Sequence, residues 1–171
     1  IYCRSLSRYR RVISQRNALL RQMRDGQASS SELDYWDEQV AKLGALLLAR
    51  RLWAVRELNN RIAEIHPSLT GGEERLALVY HSSVAERLAT RGTSVEKPED
   101  AEETSNLEDS FRRALRSARQ EEMARAATVV GPHRDDLRFL LDDIDATIYG
   151  SRGQQRTVVL ALKLAEIGFM C

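Results

Sequence analysis

The chain has 171 residues, 43% of them hydrophobic and 30% charged, with a formal net charge of +1, a composition that suits one or two modest folded domains and not a disordered chain. Near-cancelling charge excludes a generally basic surface, so any nucleic-acid contact has to come from a local patch. Cys3 and Cys171 stand far apart without clustered histidines, which argues against a zinc site or disulfide framework, and neither a long apolar run nor a charged leader is present to predict a membrane span or secretory signal.

A reducing, cytoplasmic location is the expectation. The chain opens at Ile1 and stops at Gly168-Phe169-Met170-Cys171 directly after a helical pattern, so it reads as a piece of a longer protein.

Tyr2, Leu6, Tyr9, Ile13, Leu20 and Met23 recur near the 3.6-residue period and predict a first helix over 2–23, with a polar gap in the stripe at Arg16 and Asn17. Arg4, Arg8 and Arg11 share another face of that helix. Such a basic stripe suits phosphate contacts, or it simply keeps the helix solvated.

Ser29 and Glu32 have capping-box spacing and predict the start of a second helix. Trp36, Val40, Leu43, Leu47, Ala54, Leu58, Ile62 and Ile65 continue its apolar stripe, interrupted by Arg51 and ended by Pro67. A rod of some 30 residues, about 45 Å, cannot bury such a stripe alone, so the first helix is expected to pack along it as an antiparallel arm. Trp36 and Trp53 are expected as core anchors.

Beyond the turn at Thr70-Gly71-Gly72, a short strand is predicted at 76–80, a return to helix at 82–88 and a charged loop at 90–104. Ser105 and Glu108 repeat the capping-box spacing before a helix with Leu107, Phe111, Ala114, Leu115 and Ala118 on one face, running to about Ala124. Extended runs are then expected at 128–130 and 137–141, separated by Gly131-Pro132 and His133-Arg134-Asp135-Asp136, with Asp142-Asp143 as a tight turn. A boundary therefore falls near residue 125, between helical periodicity and strands with turns.

The densest signal is Tyr149-Gly150-Ser151-Arg152-Gly153-Gln154-Gln155-Arg156, followed by an apolar helix. Free amides and the positive dipole end at the first turn of such a helix suit an anion, and Ser151 adds a hydroxyl. Ser151 with Gln154 is also a capping box, and a purely structural role is the alternative. His133 beside Arg134, Asp135 and Asp136 has the look of a catalytic cluster, but a local turn network is the simpler account.

Ser151-Arg152-Gly153-Gln154-Gln155-Arg156 and the helix after it resemble the ABC-type signature motif as RecF proteins carry it. Gly131-Pro132-His133-Arg134-Asp135-Asp136-Leu137 matches a second RecF-like block, and Gln15-Arg16-Asn17-Ala18-Leu19-Leu20 and Trp36-Asp37 fit the same family in order. The resemblance implies a predominantly α fold: an antiparallel helical arm over 1–125, then a partial α/β ABC-type ATPase head over 126–171. It implies a bacterial, DNA-associated, ATP-controlled clamp related to SMC-like ATPases, acting on double-stranded DNA at gaps and single-strand/double-strand junctions and helping to load RecA with RecO and RecR.

It further implies an ATP-dependent homodimer in which ATP and Mg2+ lie between two heads, with Ser151, Arg152, Gly153, Gln154, Gln155 and Arg156 facing the nucleotide of the partner. His133, Arg134, Asp135 and Asp136 would support the head interface, Arg134 as the charged contact; Arg4, Arg8 and Arg11 are the DNA-binding candidates. The sequence departs from a whole ATPase of that family in holding no G-x-x-x-x-G-K-S/T loop and, after the signature, no hydrophobic strand ending in an acidic pair. The full-length protein is then expected to be a weak DNA-stimulated ATPase and the chain alone inactive. A noncatalytic helical interaction module and a coiled-coil scaffold are the competing readings.

Overall fold

The computed structural model describes residues 2–29, 31–89 and 103–170, which form six helices and three strands in two compact units. One unit comprises residues 1–50 and 82–135, the other 51–81 and 136–171. The chain therefore passes between units three times and does not divide at a single point near residue 125. The last helix and all three strands share a unit with the distal half of the long second helix.

In the first unit, α1 (Tyr2–Arg24), the proximal part of α2 (Ser31–Thr70), α3 (Ser83–Ala89) and α4 (Glu103–Arg125) bury the stripes predicted from their periodicity. Tyr9, Leu20, Leu33, Val40, Leu47, Phe111, Ala114, Leu115 and Ala118 are all buried. The hairpin end of α1 and α2 is closed by Leu19, Leu20 and Leu33, with Met23, Ala28 and Trp36 packed against them. Burial of each large aliphatic side chain contributes about 1.5–3 kcal/mol.

Acidic side chains of α2 face arginines of α4. Both oxygens of Glu38 accept from Arg112 at 2.9 Å, and Arg119 reaches Asp34 at 2.9 Å and Asp37 at 3.1 Å. The hydrogen bonds from Arg112 hold the Glu38 carboxyl at a pKa of about 2, well below the ordinary carboxylate range. These groups are partly exposed, so each pair contributes at most about 1 kcal/mol and chiefly fixes the register of the helices.

Four sequence expectations meet the structure here. The capping box at Ser29 forms in part, Glu32 accepting from the Ser29 amide at 3.4 Å. Ser105, by contrast, lies inside α4, which starts at Glu103, and Glu108 turns to Arg112 at 3.0 Å. Of the loop expected at 90–104, residues 90–102 lie outside the described residues, and Glu103 and Thr104 are already helical. The run 128–130 does not join the sheet, because Thr128 donates its amide to Asn17 and Val129 to Glu122, both side chains.

In the second unit, α2 does not stop at Pro67. It continues to Thr70, giving 40 residues in place of the expected 30, and ends where the Gly72 amide donates to the Pro67 carbonyl at 3.0 Å. A proline removes only one intrahelical donor, and in the last turn the loss is tolerated. Trp53 is 45% exposed and so is no core anchor, whereas Trp36 is half-buried.

Strands β1 (Leu76–His81), β2 (Asp136–Leu141) and β3 (Ile144–Asp145) form an antiparallel sheet in that order, with Leu76 opposite Leu141 and His81 opposite Asp136. The open edge of β1 is partly closed by Asn59 of α2, which accepts from the Leu78 amide and donates to its carbonyl, each at 2.8 Å. Asp142 and Asp143 have φ of 46° and 68°, the left-handed pair that a two-residue hairpin with the native twist requires. Leu76, Leu78 and Leu141 pack with Ile62 of α2, Ala146 of α5 (Ala146–Tyr149) and Val158, Ala161 and Ala165 of α6 (Arg152–Met170).

Candidate functional site

The predicted cap of α6 is present. Ser151 accepts from the Gln154 amide at 3.2 Å, and Gln154 Oε1 accepts from the Ser151 amide at 2.8 Å, two reciprocal bonds made by residues three apart. The Gln155 amide donates to the Ser151 carbonyl at 2.9 Å. Of the first-turn donors, this leaves the amides of Arg152 and Gly153, both in exposed residues, at the positive end of a 19-residue helix. Two amide donors, a hydroxyl and the arginines Arg152 and Arg156 are together chemically able to hold an anion of the size and charge of a phosphate group.

The two glycines of the run serve different ends. A Cβ on Gly150 would collide with the Ala146 carbonyl, to which the Gly150 amide donates at 3.1 Å, so the fold itself demands glycine there. At Gly153 a Cβ would meet nothing closer than Ser151 Oγ at 3.8 Å. Gly153 is the second residue of α6, where neither a turn nor a close approach within the chain calls for glycine. The bare Cα of Gly153 is therefore unexplained within the chain and leaves room for a group approaching from outside it.

Both glutamines of the run are bonded within the chain, Gln155 while exposed. Gln154 Nε2 donates to Glu74 Oε1 at 2.6 Å, and Gln155 Nε2 donates to the Ala146 carbonyl at 3.2 Å. Ser151, Arg152, Gly153 and Arg156 are exposed.

The block Gly131 to Asp136 is divided between the two units. His133, Arg134 and Asp135 belong to the first, and Asp136 opens β2 in the second, its carboxylate accepting from the Leu137 amide at 2.8 Å. Asp135 Oδ1 accepts from the Ser83 amide at 2.8 Å and hydroxyl at 2.6 Å and so caps α3, while Arg134 Nε donates to the Thr128 carbonyl at 3.3 Å. Among the described residues, no group of three or more His, Cys, Asp or Glu side chains is arranged to hold a metal.

His133 turns both ring nitrogens toward buried atoms. A carbonyl can only accept, so Nε2 at 3.1 Å from the Thr128 carbonyl carries the proton. Nδ1 then accepts from the Tyr9 hydroxyl at 2.9 Å. Partial burial of the ring lowers the His133 pKa below its ordinary value, and the charges of Arg134 and Arg16 act in the same direction. His133 thus ties the turn at Thr128 to Tyr9 of α1, 124 residues away, a connection wider than a local turn network.

What the sequence reading missed is the polar centre of the first unit. Arg16 is fully buried: Nε donates to Asp37 at 2.8 Å, Nη1 to Thr128 Oγ1 at 2.8 Å and Nη2 to Glu122 at 2.6 Å. Burial by itself lowers the Arg16 pKa, but pairing with Glu122 and Asp37 outweighs it and the net shift is upward. Asn17 completes the network by accepting from the Thr128 hydroxyl at 2.7 Å and amide at 2.8 Å. A signal existed, since Arg16 interrupts an apolar stripe and Glu122 follows Leu115 and Ala118 in register; charges on core faces demand buried partners. Arg4, Arg8 and Arg11 are exposed along α1, as their spacing predicted.

Comparison with family models gives no match. The chain is 44% identical over 165 residues to the DNA replication and repair protein RecF of Heliobacterium modesticaldum, covering 96% of the chain and 41% of that protein. Against the RecF protein of Chloroflexus aurantiacus it is 39% identical over 173 residues, covering 99% of the chain and 41% of the relative. The chain thus spans about two fifths of the length of the curated relatives it matches. Among solved structures it is similar to the recombination mediator protein RecF-ATPrS in the RecFOR pathway, with a TM-score of 0.85 at 27% identity over 98% of this chain and 42% of that one. A structure of RecF-ATP in the same pathway gives a TM-score of 0.85 at 26% identity, covering 99% of this chain and 42% of that one.

Proposed function

The chain belongs to the RecF family of DNA replication and repair proteins, and from that premise we propose that it contributes the trans half of an ATP site in a dimeric DNA clamp. The observation that carries this reading is the N-terminal turn of α6, with exposed Arg152 and Gly153 amides, the Ser151 hydroxyl and a glycine the fold does not need. In this reading the Arg152 and Gly153 amides donate to phosphate oxygens of a nucleotide held by the partner head. Ser151 Oγ adds a third donor while remaining within reach of the Gln154 amide, and Arg152 and Arg156 balance charge at the rim. When bound, ATP with Mg2+ supplies the concentrated negative charge that this turn neutralises; no residue of this chain is assigned to the metal.

The whole protein is proposed to act at gapped DNA and single-strand/double-strand junctions, with RecO and RecR, in loading RecA. ATP closure of the homodimer would clamp it there. The chain alone, holding no phosphate-binding loop, is proposed not to turn over ATP. His133, Arg134 and Asp135 are proposed as supports that tie the body of α1, the start of α3 and the segment after α4 together, with Asp136 placing the first residue of β2.

Ser151→Arg in the full-length protein tests the reading. Its bulk and misplaced charge should block closure, lowering ATP turnover about a hundredfold while each monomer's own ATP affinity, measured by equilibrium titration, stays unchanged. ATP-dependent dimer mass in analytical ultracentrifugation should be lost. Normal dimerisation and hydrolysis would exclude the trans contact.

For DNA, the exposed stripe Arg4, Arg8 and Arg11 is proposed as a phosphate contact. Replacing all three with glutamine should flatten the slope of log affinity against log salt by about 2–3 units, because fewer counterions are displaced. An unchanged slope in a folded variant sinks the patch.

A further inference from the structure

We propose that Glu74, which precedes β1 and lies outside the signature run, is the positioning residue that sets the direction of the donors at the α6 N-terminus. The inference rests on the trans-site reading and deepens it. Gln154 has an amide whose two ends differ: the oxygen accepts and the nitrogen donates. Its oxygen must face the Ser151 amide at 2.8 Å for the cap to close, and this requires an acceptor on the other side. Glu74 Oε1, an acceptor, stands there at 2.6 Å. A carboxylate cannot donate, so Glu74 forbids the flipped amide and fixes the orientation that presents Ser151.

Glu74 is itself held at a fixed place. Its carbonyl accepts from Nδ1 of His66, a 1%-exposed side chain near the end of α2, at 3.2 Å. On its other side the Arg75 amide donates to Asp142 Oδ1 and the Asp142 amide donates to the Arg75 carbonyl, each at 3.0 Å, just before β1 pairs with β2. A chain of bonds therefore runs from α2 through Glu74 and Gln154 to Ser151, wholly within one unit. Placing a carboxylate near a site for a phosphate has an electrostatic cost, which is offset only if its hydrogen bond matters to the site. Donors oriented before the anion arrives need no reorganisation when it binds.

The test uses full-length protein with Glu74→Ala, Glu74→Gln and, alongside, Ser151→Arg. Without nucleotide, Glu74→Ala should raise hydrogen exchange at the Ser151 and Gln154 amides about tenfold, and should raise the ATP concentration needed for dimerisation about five- to tenfold. Each monomer's own ATP affinity should not move. Glu74→Gln keeps an acceptor of equal reach but can also donate and so permits the flipped Gln154 amide, and both quantities should fall between those of Glu74→Ala and the unsubstituted protein. Unchanged exchange and dimerisation in Glu74→Ala overturn the proposal, as do equal losses in Glu74→Ala and Glu74→Gln, which would report general destabilisation. Loss of dimerisation in Ser151→Arg with none in Glu74→Ala sinks the role of Glu74 alone, whereas normal dimerisation of Ser151→Arg removes the trans-site reading and the functional role of Glu74 with it.

Discussion

Replacing Arg16 with methionine is expected to destabilise the folded protein by about 3–5 kcal/mol, the cost of removing one partner from a buried ion pair. The expectation follows from what is left behind. Glu122 is fully buried and its Oε2 loses the Nη2 donor at 2.6 Å, while Asp37, with a side chain only 14% exposed, loses Nε. Thr128 Oγ1 loses its donor from Nη1 as well. Methionine fills a similar volume, so the loss is electrostatic and not a cavity. In urea denaturation the midpoint should fall while the slope stays constant. The double variant Arg16→Met/Glu122→Leu should recover about half of the loss, because the stranded carboxylate is then gone. A single variant within about 1 kcal/mol of the unsubstituted protein would mean that water reaches Glu122 and that the network is not closed.

Gly131→Ala should cost about 3 kcal/mol or more, from two separable sources. Gly131 has φ of 125°, a region that L side chains rarely adopt, and forcing one there costs about 1–3 kcal/mol. A Cβ would also run into the Tyr9 hydroxyl, and overpacking adds about 1–3 kcal/mol. Tyr9 is buried and donates to His133 Nδ1 at 2.9 Å, so its displacement would also open the His133 network. The Gly131 amide donates to Ser83 Oγ at 2.9 Å and its carbonyl accepts from the Arg134 amide at 2.8 Å, which prevents the turn from sliding aside. Adding Tyr9→Phe removes the collision with the hydroxyl but not the backbone strain, so thermal denaturation of the double variant should recover only the steric part. Full recovery would show that φ is not constrained at this turn.

Both substitutions act on residues that the RecF-like blocks of the sequence contain, Arg16 in Gln15-Arg16-Asn17 and Gly131 in Gly131-Pro132-His133. Arg16 holds α1, the first half of α2 and α4 around one buried charge, and Gly131 holds a tight turn against Tyr9 of α1 and Ser83 of α3. Stability and function are therefore tested at different places, the first in the network around Arg16 and the second at the α6 turn.

Features set by neighbours in sequence were readable from sequence by itself. The periodic stripes of α1, α2 and α4, the Asp142-Asp143 hairpin and the reciprocal Ser151 and Gln154 cap all depend on residues within one or two turns of each other, so spacing anticipates their geometry, although the same spacing at Ser105 and Glu108 falls inside α4 and makes no cap. The end of α2 was misplaced because a proline weakens a helix by one bond without dictating where the remaining bonds stop. Tertiary structure alone decided which distant groups meet: Glu122 is 106 residues from Arg16, Thr128 is 112 away, and Glu74 is 80 from Gln154. A charge on a core face announces that a partner is required, but the partner's identity depends on how whole elements pack against each other, and local periodicity carries no record of that.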